Sequence, residues 1–218
     1  MRLRRQVQLA IFDLDGTLLD TIDDIALALN RALSVSGLPT LPRGEVERAV
    51  GDGARTLVAR AMKQANLQDF SVDPVLARFL AEYERDPTPA TRPMPGALAL
   101  LEALSARGVR SVVCTNKPRA IAEQVVGRVL GARVHGLIAG GDTPRLKPDR
   151  APIDASLGGV DPRDAAMIGD GPQDIVAARA ASVFSIGYLG GYGGRERLMA
   201  SGPDIVVEHF DEVLAHLC

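Results

Sequence analysis

The sequence predicts an α/β fold: a doubly wound, Rossmann-like parallel sheet with a small α-helical domain inserted after its first strand. Three observations predict it. Short β-rich runs alternate with amphipathic stretches of helix length, the pattern of βαβ units and a parallel sheet. Several of these runs are apolar throughout, as strands are when helices cover both faces. Between Asp20 and Pro95 the alternation stops, and only helical spacing remains. The expected organisation is therefore a core built from residues 1–20 and 91–218, with a helical domain at 21–90.

Strands are expected at 7–12, 109–114, 134–139, 165–168, 183–186 and 205–207, and core helices at 96–106, 118–130, 151–157 and 172–180. In the insertion, Ile22, Ile25, Ala26, Leu29 and Leu33 recur at helical spacing until Gly37 stops them. Further helices are expected at 42–50, 54–65 and 75–84, the last opened by Asp73-Pro74 as N-cap and first-turn proline. Four prolines between Asp86 and Pro95 make a stiff return connection.

Composition removes several function classes. The 218 residues carry 25 basic and 27 acidic side chains, a balance that argues against general nucleic-acid affinity. No apolar run approaches the 18 residues or so of a membrane span. The basic start Met1-Arg2-Leu3-Arg4-Arg5 is followed by a short apolar run that contains Gln8 and meets Asp13, so it reads as a basic leader before a strand, not as a signal peptide. Two cysteines cannot form a disulfide framework; Cys114 in an apolar run and Cys218 at the end point to a reducing, cytoplasmic home. Lys is scarce, with Lys63, Lys117 and Lys147 against twenty-two Arg, which makes each one easier to weigh.

The strongest chemical signal is Asp13-Leu14-Asp15-Gly16-Thr17, directly after the first strand. In open α/β sheets, ligands bind beyond the carboxyl ends of the strands. Two carboxylates at ~4 Å and an effective dielectric of ~20 repel by roughly 4 kcal/mol, so they need a cation, a shared proton or both. A second acidic site follows strand 165–168, where Asp170 leaves the strand end and Asp174 lies in the first turn of the next helix. Asp174 alone would read as an acid favoured by the helix dipole. Together, Asp13, Asp15, Asp170 and Asp174 offer hard oxygen ligands that suit Mg²⁺. Thr115-Asn116-Lys117-Pro118 is expected where strand 109–114 ends and a helix begins, so that a hydroxyl and free backbone N–H groups can hold a phosphate. Thr115 or Asn116 is otherwise a plain N-cap. Lys147 follows a loop after another strand end. The loop 188–194, rich in glycine, reads as a plain flexible connection rather than a rim of the site.

These four elements, in this order, resemble the haloacid dehalogenase superfamily of phosphotransferases: Asp13 to Thr17, then Thr115, then Lys147, then Gly169 to Asp174. The insertion resembles that superfamily's small helical cap. A narrower likeness, to phosphoglycolate phosphatases, is carried by Val50-Gly51-Asp52-Gly53-Ala54, Arg92-Pro93-Met94-Pro95-Gly96, Thr115-Asn116-Lys117-Pro118 and the stretch from Gly140-Gly141-Asp142 to Pro152. Arg150 stands where that family usually has proline, and Gly171 where Ser is commoner.

The resemblance implies a Mg²⁺-dependent phosphomonoester hydrolase acting on a small phosphorylated metabolite, with 2-phosphoglycolate foremost. It implies Asp13 as nucleophile and Asp15 as acid and base, its proton retained by neighbouring negative charge. Thr115 and Lys147 would neutralise phosphate oxygens, with Lys147 also holding Asp13 ionised. Asp13, the Asp15 backbone carbonyl, Asp170 and Asp174 would hold the metal. Gly16, Thr17 and Asn116 would contact substrate, and Gly51, Gly53 and Arg55 would meet its second anion. No nucleic-acid or membrane partner is implied, and the chain is expected as a monomer or homodimer. The rival readings are another capped phosphatase (a sugar phosphatase, nucleotidase, pyrophosphatase or β-phosphoglucomutase) and, more remotely, a non-enzymatic phospho-acceptor switch.

Overall fold

The computed structural model describes residues 7–67 and 70–217; the expected basic leader and Cys218 lie outside them. Six strands form one sheet: β1 (Leu9–Phe12), β4 (Arg110–Pro118), β5 (Gly136–Gly140), β6 (Ala165–Gly169), β7 (Phe184–Tyr188) and β8 (Ile205–Val207). Their order is β5-β4-β1-β6-β7-β8, and every neighbouring pair is parallel. The order reverses at β1, between β4 and β6, so the crevice at their carboxyl ends is the expected ligand position.

Alternation along β1 explains the double winding. Successive side chains of a strand point to opposite faces. Leu9 and Ile11 pack into a core with Ile153 and Leu157 of α7 (Ala151–Leu157) and Ala177 and Ala178 of α8 (Pro172–Ala180). Ala10 and Phe12 join the other core, with Leu100 of α5 (Ala97–Ser105), Ile121 of α6 (Arg119–Val129) and Val213 of α10 (Phe210–Leu217). All four β1 side chains are fully buried, each of the larger ones contributing on the order of 1.5–3 kcal/mol.

Between β1 and α5 lie the helices α1 (Ile22–Val35), α2 (Arg43–Ala49), α3 (Ala54–Gln64) and α4 (Val72–Arg85). The periodic residues Ile22, Ile25, Ala26, Leu29 and Leu33 of α1 are all buried, as their spacing predicts. The insertion enters and leaves through a ladder missing from the sequence reading. Here β2 (Leu19–Asp20) pairs antiparallel with β3 (Arg92–Pro93), Leu19 opposite Pro93 and Asp20 opposite Arg92. Asp24, buried in α1, fastens the return segment by accepting from the Ala90 N–H and the Thr91 hydroxyl. Among the described residues, no helix is long and apolar enough to cross a membrane.

One expectation needs correction. The strand that carries the second element does not stop at Cys114 with a helix beginning at Pro118. β4 continues through Thr115, Asn116 and Lys117 to Pro118, which pairs with Gly140 after a register shift, and α6 starts at Arg119. Pro118 reads as a helix opener in sequence, but here it lacks only an N–H that the strand end does not need. Thr115 therefore sits in the extended strand, not at a helix start. Among the described residues, α9 (Arg195–Ala200) and α10 were also absent from the sequence reading.

Candidate active site

Asp13 directly follows β1, and its N–H donates to the Ile168 carbonyl of β6, which seats it at the sheet's carboxyl edge. The turn that follows brings β1 and β6 together at their tips. The Thr17 hydroxyl donates to Asp170 Oδ1 at 2.9 Å and accepts from the Asp170 N–H at 3.1 Å. Gly16 has φ +83°, and a Cβ there would stand 2.7 Å from Asp170 Oδ2. Thr17 thus braces Asp170, Gly16 lies against it, and neither lines the cavity beside Asp13 and Asp15.

Asp13, Asp170 and Asp174 are buried, and each offers an oxygen within 4.8 Å of the others. This group can hold a metal ion. Burial pushes the Asp13 carboxyl up to about 7; Lys147 pulls against that, while Asp174 and Asp15 add to it. Asp170 also rises to about 7, by burial and the nearby Asp13, against hydrogen bonds from Thr17, Gly193 and Tyr192. Asp174 is raised by burial, with Lys147 opposing. Lys147 pairs with Asp13 and Asp174 but not with Asp170, so three buried carboxylates stand against one ammonium and the site is short of positive charge. Its all-oxygen donor set suits a hard divalent cation.

Lys147, 2% exposed, donates to Asp13 Oδ1 at 2.8 Å, to Asp174 Oδ1 at 2.6 Å and to the Cys114 carbonyl. An ammonium has three N–H groups, and all three are engaged. Burial alone would lower this lysine's pKa, but Asp13 and Asp174 outweigh it and hold the group charged.

The Asp15 carboxylate stands apart from that cluster. It accepts from Lys117 Nζ and from the Thr21 hydroxyl, both at 2.7 Å. The sequence reading surrounded Asp15 with negative charge; the structure places a buried cation against it. Lys117 also donates to the Tyr83 hydroxyl at 2.6 Å, with its ammonium 4.5 Å from the Tyr83 ring centroid.

A cavity of about 50 Å³ opens beside these groups, lined by Asp13, Asp15, Thr115 and Lys117 from the core and by Gly51, Gly53 and apolar side chains from the insertion. The Thr115 hydroxyl accepts from the Lys117 N–H. Asn116 lines the cavity, but its amide is fully used: it donates to the Gly51 and Lys147 carbonyls and accepts from the Lys147 N–H. The side chain is a strut joining the insertion to the Lys147 loop. The Gly51 carbonyl is likewise held by that strut. Arg55 does not line the cavity; its side chain is 65% exposed and ion-paired to Asp73.

Sequence reasoning missed three functional neighbours. Lys117 was one of only three lysines, next to Thr115 and Asn116, and that scarcity was the available signal. Tyr83 carried no signal beyond helical spacing. The glycine loop proves to be part of the site: the N–H groups of Tyr192 and Gly193 donate to Asp170 Oδ2 at 2.7 and 3.0 Å. A Cβ on Gly193 would stand 2.0 Å from the Asp170 carbonyl, so only glycine permits this approach. The Tyr192 hydroxyl donates to Asp20 and accepts from the N–H groups of Thr21 and Ile22, capping α1.

Residues 10–188 match the haloacid dehalogenase-like hydrolase family. The chain is 41% identical over 209 residues to the phosphoglycolate phosphatase of Rhodospirillum rubrum, covering 92% of this chain and 86% of that protein. It is 36% identical over 207 residues to the phosphoglycolate phosphatase of Agrobacterium fabrum, covering 93% and 88%. A crystal structure of a predicted phosphoglycolate phosphatase from Haemophilus somnus superposes with a TM-score of 0.87 at 29% identity, covering 96% of this chain and 97% of that one.

Proposed function

The chain belongs to the haloacid dehalogenase-like hydrolase family, and on that premise we propose that it is a Mg²⁺-dependent phosphatase of 2-phosphoglycolate, working through an aspartyl-phosphate in the cytoplasm. The observation that carries the reading is Asp13: a carboxylate at a strand tip, fixed by Lys147, facing a small cavity, with Asp170 and Asp174 beside it and Asp15 on the far side.

In this reading an oxygen of Asp13 attacks phosphorus. As that bond forms, the bond to the leaving oxygen breaks, and Asp15, which must enter this step protonated, gives its proton to that oxygen. Water then attacks phosphorus of the aspartyl-phosphate while Asp15 takes a proton from it; the bond from phosphorus to the Asp13 oxygen breaks, releasing inorganic phosphate and restoring Asp13. Lys147, with every N–H already bound, favours the ionised form of Asp13 against its burial and aims it, rather than reaching for the phosphate. The Thr115 hydroxyl is the core group left to donate to a phosphate oxygen. Asp13, Asp170 and Asp174 would hold the metal, with the Asp15 carbonyl as a further ligand. When bound, the ion supplies charge compensation between an anionic nucleophile and an anionic phosphate. Residues 21–90 act as a cap over the core of 1–20 and 91–218, closing the cavity against water.

The test is phosphate release from a panel of 2-phosphoglycolate, hexose phosphates, nucleoside monophosphates and pyrophosphate, with and without EDTA. The reading expects the highest kcat/KM for 2-phosphoglycolate, and activity that chelation stops and Mg²⁺ restores. A hexose phosphate or nucleotide in first place would move the chain to another capped phosphatase, and indifference to EDTA would remove the metal.

A further inference from the structure

We propose that Lys117 and Tyr83 form the receptor for a carboxylate on the leaving group, making them the residues that select small acidic phosphomonoesters. The proposal rests on the phosphatase reading above and deepens it.

Among the described residues, Lys117 is the sole cation on the cavity wall. Two of its three N–H groups are engaged, by Asp15 and by the Tyr83 hydroxyl. Tyr83 uses its oxygen to accept from Lys117, and its own O–H has no acceptor among the described residues. Burial pushes the Tyr83 pKa well above its ordinary value, so the hydroxyl stays a donor at neutral pH. Two buried groups, with N and O 2.6 Å apart, thus each keep one donor unfilled at one place on the cavity wall. A buried donor without an acceptor is costly, and a carboxylate has two oxygens to fill both. The neighbouring wall from Ile25, Leu57 and Phe79 is apolar and offers no competing donor. The cavity of about 50 Å³ has room for only a few water-sized groups, which limits what the carboxylate can be attached to. Lys147 cannot take this role, because its three N–H groups are already bound. The receptor also joins the two halves of the site, since Tyr83 comes from α4 and Lys117 from β4.

The experiment compares kcat and KM for 2-phosphoglycolate and for ethyl phosphate, in which a methyl replaces the carboxylate. The holoenzyme is assayed as wild type, Tyr83→Phe and Lys117→Gln, with glycolate inhibition measured alongside. Tyr83→Phe should lower the ratio of the two kcat/KM values about tenfold or more, chiefly through KM, and weaken glycolate inhibition by a similar factor. Lys117→Gln should lower the ratio further, whatever the loss of its contact to Asp15 does to both rates. A ratio unmoved by Tyr83→Phe, with the wild type still preferring 2-phosphoglycolate, overturns the receptor alone. A wild type that treats the two substrates alike removes the substrate reading and the receptor with it. Should Lys117→Gln fail to fold, Tyr83→Phe, which keeps the ring in place, decides the matter.

Discussion

Two lysines are buried within the same site, and they do different things. Lys147 sits among Asp13, Asp174 and the Cys114 carbonyl with every N–H taken. Lys117 sits between Asp15 and Tyr83 with one N–H left over. The first neutralises and orients protein groups. The second has bonding capacity for something that is not protein. Burial and charge are the same in kind for both, so what separates them is the count of donors already satisfied. An ammonium's role follows from its unfilled bonds more than from its position near the chemistry.

The largest expected effect tests the Lys147 end. Asp13→Asn keeps the shape and removes the nucleophile, and should cost roughly 10³-fold or more in kcat. Residual turnover above about a tenth of wild type would refute Asp13 as the attacking group. Next, Lys147→Gln should destabilise the metal-free fold by about 3–5 kcal/mol, because it strips the ammonium from two buried carboxylates. Lys117→Gln should cost less, since its partner Asp15 retains some exposure. Urea unfolding of both variants checks the order, and the reverse order would mean that the two lysines do not differ in this way.

A pH series sharpens the same comparison. Asp13 and Asp170 have folded pKa values raised to about 7, against an ordinary value of 3.8. Between these values the folded state binds more protons than the unfolded one. Their contribution to the stability of the metal-free protein is therefore fully present below about 3.8 and is lost as pH rises through about 7. Metal needs the deprotonated ligands, so the Tm increase on adding Mg²⁺ should be larger at pH 8 than at pH 5.5. A shift independent of pH would mean that these carboxyls are not the ligands. The smallest effect belongs to Arg55→Ala. Its exposed pair with Asp73 should be worth at most about 1 kcal/mol, and kcat/KM should stay within about twofold. A large loss of activity would put Arg55 back at the substrate.

The parallel sheet and the acidic strand tips were legible in the sequence because each depends on local pattern. Apolar runs of strand length, an Asp-x-Asp turn and a Gly-Asp before a helix are written within a few residues. What escaped notice depends on partners far apart in the chain. Lys117 meets Asp15 across 102 positions, and Tyr192 meets Asp20 across 172. The β2–β3 ladder spans two residues per strand, too few to show any period. Helical spacing gives Arg55 a face but not which way that face turns, and its pair with Asp73 was not legible. Pro118 was read as a helix opener because its fixed φ also fits the end of an extended strand.

Tyr192 grips Asp170 with its backbone and caps α1 with its hydroxyl, so one residue from late in the chain completes both the acid cluster and the start of the insertion. The helical segment is therefore not a self-contained module. A chimera that exchanged residues 21–90 with those of a relative would inherit a helix whose first turn is finished by the recipient's own glycine loop, and grafts that ignored that loop would begin with a frayed hinge.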